Sequence, residues 1–333
     1  MSQPSKTLAL DVMSGDQGFR VAIDALKRVL PRHPDLAIVV VGDEPEIVAY
    51  WPERPARVRL RHAAEVVAMD ESPVDALRKK KQSSMRVAID LVKTGEAGAC
   101  VSAGNTGALM AIAKFVLKTL PGIDRPAIMA ELPTRDGHLY MLDVGANALC
   151  TAEQLYQFAV MGSSVAGRLM TIDAPRVALL NIGSEDNKGR DEIRDAAALI
   201  AAGDVNYVGF VEGSTLFDGL ADVVVADGFT GNIALKTMEG TAKLIGDFLR
   251  EAFSSSLLSR LQALVALPAL RRLRARTDPR AYNGASLVGL NGIVVKSHGG
   301  ADAVAFEHAI ETAILELADN LPADIKRRLN GES

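Results

Sequence analysis

VVADGFTGNIALK, residues 224–236, runs as an apolar strand to Ala226, stops at Asp227-Gly228, bends through Thr230-Gly231-Asn232 and continues as a helix. A strand that enters a helix through small residues is the turn of a βαβ unit. Residues 99–110, ACVSAGNTGALM, repeat the pattern around Gly104, Asn105 and Gly107. Two more bends are built alike: MLDVGANAL (141–149), which carries Asn147, and VALLNIGSEDNKG (177–189), which carries Gly183, Glu185 and Lys188.

Working outward from these bends, short runs rich in Val, Ile and Leu alternate with helical periodicity along the chain. Strands are expected at 7–12, 36–42, 57–63, 98–103, 127–132, 139–144, 176–182, 207–212, 221–226 and 293–297. Helices are expected at 19–30, 74–93, 105–119, 151–169, 189–202, 229–252 and 301–318. Continuous apolar strands are those covered on both faces, so the alternation predicts an α/β fold with a mainly parallel sheet between helical layers. Residues 1–333 read as a single body without repeats or low-complexity linkers. One segment breaks the rhythm: SSSLLSRLQALVALPALRRLRART (254–277) is leucine-rich, carries Pro268, and turns basic at Arg271, Arg272, Arg274 and Arg276. It is expected to be a helical protrusion inserted in that body.

Composition narrows the function classes. The chain has 333 residues, enough for a self-sufficient core, and its 5% aromatic content argues against a surface built to stack bases. A net charge of -4 gives no global basic field for nucleic acid. Cys100 and Cys150 have no CxxC partner and sit at the edges of apolar runs, so they read as buried reduced thiols. MSQPSKTLALDV shows no charged-then-apolar leader, and no run approaches eighteen apolar residues; a cytoplasmic, non-spanning protein is expected.

In an open parallel sheet, ligands collect beyond the carboxyl ends of the strands, where helix N-termini offer free N–H groups and a positive dipole end. Glycine admits close approach of the backbone, and asparagine adds a neutral donor. The four bends therefore favour phosphate or another oxyanion, although any one alone could be an ordinary cap. GNTGA lacks the GK[ST] ending of a P-loop, and DVMSGDQG is not GxGxxG. HExxH, GxSxG and metal-spaced Cys/His clusters are missing too, so no metal or cofactor is expected. IVVKSHGGADA places Lys296 and His298 before another helix start, where they could stabilise an oxyanion or carry a proton. His33, His62, His138 and His308 have no such setting and are assigned to structure.

LDVMSGDQG, RKKKQSSMRVA (78–88), VSAGNTGALMA, LDVGAN, NIGSEDNKG, GFVEG (209–213), ADGFTGN and GASLVGLNGIVVKSHGGAD (284–302) resemble, in order, the acyl-[acyl-carrier-protein]:phosphate acyltransferase family over nearly the whole chain. The resemblance implies a three-layer α/β/α body of the isocitrate/isopropylmalate dehydrogenase and phosphotransacetylase class, working as a homodimer. It implies an enzyme that makes acyl phosphate from a fatty acyl-carrier thioester and inorganic phosphate for phospholipid synthesis. It also implies peripheral contact with the inner face of the membrane, where a glycerol-3-phosphate acyltransferase takes the product. The chain departs from the family in its first motif, where Gln17 stands for the expected histidine.

On this reading Lys188, Lys296, His298 and Asn232 are the candidate catalytic residues, adding charge, protons or an oxyanion donor. Substrate-binding candidates are Gly104, Asn105, Gly107, Asn147, Gly183, Glu185, Asp227, Gly228 and Gly231. Lys79, Lys80 and Lys81, with Arg271 and Arg272, are candidates for docking the acidic carrier protein. The rival readings are a CoA-dependent phosphate acetyl- or butyryltransferase and a non-catalytic lipid-surface binder.

Overall fold

The Val-, Ile- and Leu-rich runs pair into one sheet of 11 strands in a computed structural model that describes residues 6–329, apart from the side chains of residues 274 and 275. The leader expectation at the N-terminus, residues 1–5, and the basic side chain of Arg274 therefore lie outside the described residues. The strands are β1 (Thr7–Asp11), β2 (Ala37–Gly42), β3 (Val58–His62), β4 (Ala99–Ser102), β5 (Ala127–Thr134), β6 (Gly137–Leu142), β7 (Val177–Leu180), β8 (Tyr207–Val211), β9 (Val223–Val225), β10 (Ala285–Val288) and β11 (Ile293–Lys296). The helices are α1 (Phe19–Val29), α2 (Glu44–Tyr50), α3 (Pro73–Lys79), α4 (Ser84–Thr94), α5 (Thr106–Leu117), α6 (Ala152–Leu169), α7 (Asp191–Ala202), α8 (Gly228–Ser254), α9 (Leu257–Thr277), α10 (Ala303–Asp319) and α11 (Leu321–Leu329).

Sheet order is β3-β2-β1-β4-β11-β10-β5-β6-β9-β7-β8. Pairing is parallel within two blocks, β3-β2-β1-β4-β11 and β6-β9-β7-β8. Antiparallel pairs β11–β10, β10–β5 and β5–β6 join them, so the blocks run in opposite directions. The sheet is mainly parallel, as the continuous apolar strands require, but its carboxyl ends lie at two opposite edges. Helices cover both faces: α4 and α5 supply Met85, Ile89, Leu109 and Ile112 to one apolar cluster, and α1 and α10 supply Ile23, Leu26, Phe306 and Ile310 to another. A third cluster, with Phe158 and Met161 of α6 and Ile200 of α7, covers the β6–β8 block.

Two expectations change. Residues 285–288 form β10, a strand of four residues between Gly284 (φ +126°) and Gly289 (φ +90°), too short and too glycine-flanked to stand out as an apolar run. The single helix expected at 74–93 is two, α3 and α4, because Ser83 caps α4 by accepting from the Arg86 N–H while the Ser84 N–H donates to Glu65 O at 2.9 Å. Segment 254–277 is helical, and α9 continues through Pro268 and packs back on α8. Short helices α2 and α11 add to the expected set. Among the described residues no helix is long and apolar enough to cross a membrane.

Glu316 on α10 is buried in this frame, its carboxylate taking the Ser286 hydroxyl of β10 as hydrogen-bond donor. Burial without a cation pushes its pKa from the ordinary 4.5 up to about 7. The folded chain thus holds this proton where the unfolded chain has released it, and stability falls as pH rises from 4.5 to about 7, by roughly 3 kcal/mol. Glu316→Gln removes that slope. Denaturant midpoints should show the variant gaining on the wild type between pH 5 and pH 8, and a gap independent of pH would contradict the assignment.

Candidate active site

Three of the four bends meet through direct contacts. Asp143, fully buried at the end of β6, builds the first: one carboxylate oxygen accepts the N–H groups of Ile128 (3.1 Å), Gly145 (3.1 Å) and Ala146 (2.9 Å). The other accepts the Asn147 N–H at 2.7 Å and its side-chain amide at 2.9 Å. Burial raises this carboxyl's pKa, and the converging N–H groups pull it partly back. The start of α8 lies against this loop: Gly228 N donates to Asn147 O at 2.7 Å, and a Cβ on Gly231 would collide with the Asp143 carbonyl oxygen. Glycine at 228 and 231 is thus a condition of close approach between two backbones. Asp227 caps α8 through the Thr230 N–H at 2.8 Å and forms an ion pair with Arg190, which draws in the third bend. There Gly183 is buried beneath the Glu185 carboxylate and the stem of Lys188, both of which are exposed.

The bend at 103–107 belongs to the opposite block and has different neighbours. Gly15 lies against Ala103, Asp16 N donates to Gly299 O at 2.8 Å, and a Cβ on Gly104 would press on Ser14 at 3.0 Å. The loops after β1, β4 and β11 are therefore one unit. Its link to the other three bends is α8. That helix leaves the 227–232 bend exposing Asn232, beside Gly145, and one turn on it carries Lys236, which pairs with Glu239 at 2.8 Å and whose positive charge acts against that of Lys296.

Lys296 is 8% exposed, and its ammonium donates to the carbonyls of Ala103, at 3.5 Å, and Ser297. Burial first, then Lys236, lowers its pKa to about 8, while Asp16 and Asp11 act in the opposite sense. His298 is exposed; its Nδ1 accepts the Gly300 N–H at 3.1 Å, which leaves the proton of the neutral ring on Nε2. The side chains of Asn232 and Lys188 have no hydrogen-bond or ion-pair partner among the described residues, although the Lys188 backbone bonds Glu185 O and the Asn181 amide, so both side chains are free to meet a ligand.

Two expected ligands are corrected. Both side-chain amide hydrogens of Asn105 are used, on Met69 O (2.8 Å) and Glu71 O (3.0 Å), while its oxygen caps α5 through Ala108 N. Both of those on Asn147 are used as well, on Pro126 O (2.8 Å) and Asp143. These side chains build the corners and have no donor left for an oxyanion. What the 103–107 bend can offer is backbone at the start of α5, where Thr106 and Gly107 are exposed.

Set against known proteins, residues 6–323 match the family model described as fatty acid synthesis protein. Phosphate acyltransferase of Alkalilimnicola ehrlichii is 56% identical over 98% of this chain and 96% of its own length. That of Methylococcus capsulatus is 54% identical over 97% and 96%. The chain belongs to the phosphate acyltransferase family. In fold it is similar to a phosphotransacetylase from Streptococcus pyogenes, with a TM-score of 0.61, 18% identity and 94% of each chain covered. The EutD phosphotransacetylase from Staphylococcus aureus gives 0.59 and 17%, over 93% of this chain and 94% of its own.

Four charged residues stand at or beside these loops that the sequence reading left unassigned: Asp11, Asp143, Arg190 and Lys236. Lys236 had a signal, since it stands one turn beyond Asn232 and so shares its helix face. Asp143 lies inside the LDVGAN motif, whose Asn147 is the residue expected to donate. Cys100 and Cys150 are both buried, and burial pushes the Cys150 thiol up to about 12, which fits the inert reading.

Most of the basic run is available to a partner. Arg78, Lys79 and Lys81 are exposed, Lys79 while paired with Asp75 at 2.8 Å, whereas Lys80 is half-buried and donates to Val66 O at 3.1 Å. Arg271 and Arg272 are exposed on α9. His33 bonds Glu311 at 2.8 Å, and His62 accepts the Glu44 N–H at the start of α2, in keeping with structural roles.

Proposed function

We propose that the protein makes acyl phosphate from a fatty acyl thioester of acyl carrier protein and inorganic phosphate, releasing the carrier thiol. The observation that carries this reading is the placing of Lys236 of α8, whose ammonium also pairs with Glu239 at 2.8 Å, on the side of the buried Lys296 where the two positive charges oppose each other in repulsion. A bound anion relieves that repulsion, and phosphate is the anion the reaction needs.

Phosphate is already an anion near neutral pH, so neither an activated serine nor a metal hydroxide is required. The site has to position the reactants, stabilise the tetrahedral oxyanion and keep water from the product. Lys236 and Lys296, with the open backbone at Thr106–Gly107, suit the phosphate. Asn232, unpartnered and one turn before Lys236, suits the oxyanion. Lys188 and His298 border the site as further cations or proton carriers. Asp143, Asp227 and Arg190 hold the frame.

A carrier-bound donor is favoured over CoA by the exposed Arg78 and Lys81, which offer charge unpaired among the described residues to an acidic protein, and by the apolar arm that follows. Thiol release tests both parts. The wild type should release thiol from a fatty acyl-carrier thioester only when phosphate is present, and CoA thioesters should be poorer donors. Charge reversal at Lys81 should raise KM for the carrier thioester and leave that for phosphate unchanged. Faster turnover of acetyl-CoA would favour the phosphotransacetylase reading instead, and no thiol release at all would favour a non-catalytic binder.

The α8–α9 arm exposes Leu244, Ile245, Phe248, Leu261, Leu264 and Val265, the last 84% accessible, and turns basic at Arg271 and Arg272. Apolar residues beside a basic cluster suit a helix resting on anionic lipid, where a membrane glycerol-3-phosphate acyltransferase could take the product. The same arm could instead cover a second copy in a homodimer. Leu264→Gln with Leu267→Gln should abolish flotation with anionic liposomes; unchanged flotation would assign the arm to the dimer.

A further inference from the structure

Three neighbouring parallel strands end in polar residues that lie in register. Asp11 ends β1, Ser102 ends β4 and Lys296 ends β11, with Ser102 paired to both of the others. Parallel partners point to the same face, so the three side chains share one buried layer above Ala9, Cys100 and Val294. Asp11 and Ser102 are 0% exposed and Lys296 is 8% exposed. The Ser102 hydroxyl donates to one Asp11 oxygen at 2.6 Å, while the other Asp11 oxygen has no hydrogen-bond partner among the described residues.

A buried carboxylate with a free oxygen projects its charge on whatever cation is near, and here that is Lys296. The groups that face this ammonium are Asp11 from β1, Asp16 from the loop after β1, Lys236 from α8 and the carbonyls of Ala103 and Ser297. Arginine in this place would be a fixed charge. Lysine in a dry setting can let its proton go.

We propose that Lys296 is the acid that protonates the departing carrier sulfur, with Asp11 and Ser102 as the positioning residues that keep it charged until the C–S bond breaks. This rests on the acyl transfer reading above. A phosphate oxygen adds to the thioester carbonyl carbon. As the tetrahedral oxyanion collapses, the C–S bond breaks and its electron pair goes to sulfur, which takes a proton from the Lys296 ammonium. The neutral amine is recharged by the P–OH of the hydrogen phosphate group, made more acidic by acylation. Hydrogen phosphate and thioester become acyl phosphate and thiol, with no proton left over. The pKa of about 8 at Lys296 lies beside the roughly 8.5 of a carrier thiol, the match that favours transfer.

The test compares leaving groups. Lys296→Arg keeps the charge and withholds the proton. With the fatty acyl-carrier thioester its kcat should fall ~10²-fold or more. With an aryl thioester of the same fatty acid, whose thiolate departs unprotonated, the loss should be much smaller, and KM for phosphate should stay unchanged. Wild-type kcat on the carrier donor should decline as pH rises through about 8, and Asp11→Asn should move that decline to lower pH. Ser102→Ala serves if the Asp11 variant does not fold. Equal losses on both donors, or a loss confined to KM for phosphate, would make Lys296 an anion ligand only and overturn the proposal. A pH limb unmoved in Asp11→Asn or Ser102→Ala would remove the positioning role. A wild type that releases no thiol with phosphate would instead overturn the acyl transfer reading itself.

Discussion

Gly231→Ala should cost about 3 kcal/mol of stability and most of the activity. The added methyl meets the Asp143 carbonyl oxygen, part of a backbone held by the bonds that Asp143 itself accepts, so it cannot step aside cheaply. The start of α8 must move, and Asn232 moves with it. For a chain of 333 residues that loss lowers the melting temperature by roughly 4 °C, while a displacement of about an ångström at Asn232 lowers kcat ~10²-fold. Gly240→Ala is the matched control, on the same helix with nothing within 4 Å of its Cβ position. It should leave kcat unchanged and raise stability by up to about 1 kcal/mol. Equal effects at both positions, read by calorimetry and thiol release, would show that closeness of α8 to the 143–147 corner is not what matters.

Asn232→Ala should lower kcat ~10²- to 10³-fold, the cost of removing one preorganised oxyanion donor. Because the Asn232 side-chain amide bonds nothing among the described residues, melting should be unaffected and KM for phosphate nearly so. Asn147→Ala should behave in the opposite way. Its amide is spent on Pro126 and Asp143, so stability falls first and activity follows. If Asn232→Ala turns over normally while Asn147→Ala loses activity without loss of stability, the roles given to the two amides are reversed.

Much of this was legible in the residues. Apolar runs covered on both faces gave the strands, and the strand–glycine–helix grammar gave all four bends. Family motifs along the chain pointed to acyl transfer, which the relatives bear out. The sheet's reversal was not legible, because nothing in ASLV (285–288) says with which neighbour, or in which direction, it will pair. That reversal is why the 103–107 bend lies at the opposite edge from the other three. Nor could the sequence distinguish an asparagine that builds a corner from one that faces a ligand. Asn105, Asn147 and Asn232 have the same chemistry beside the same small residues, and only the carbonyls that the first two find in the folded chain separate them. Lys236 could have been found by its helical spacing from Asn232.

The central claim is that the two edges of the sheet supply one phosphate site through α8. A crystal of the wild type soaked in inorganic phosphate tests it most directly. The account predicts a tetrahedral anion within hydrogen-bond reach of Lys236 and Lys296, with Asn232 facing the same space. An anion held by the 181–190 loop alone, or by neither lysine, would contradict it.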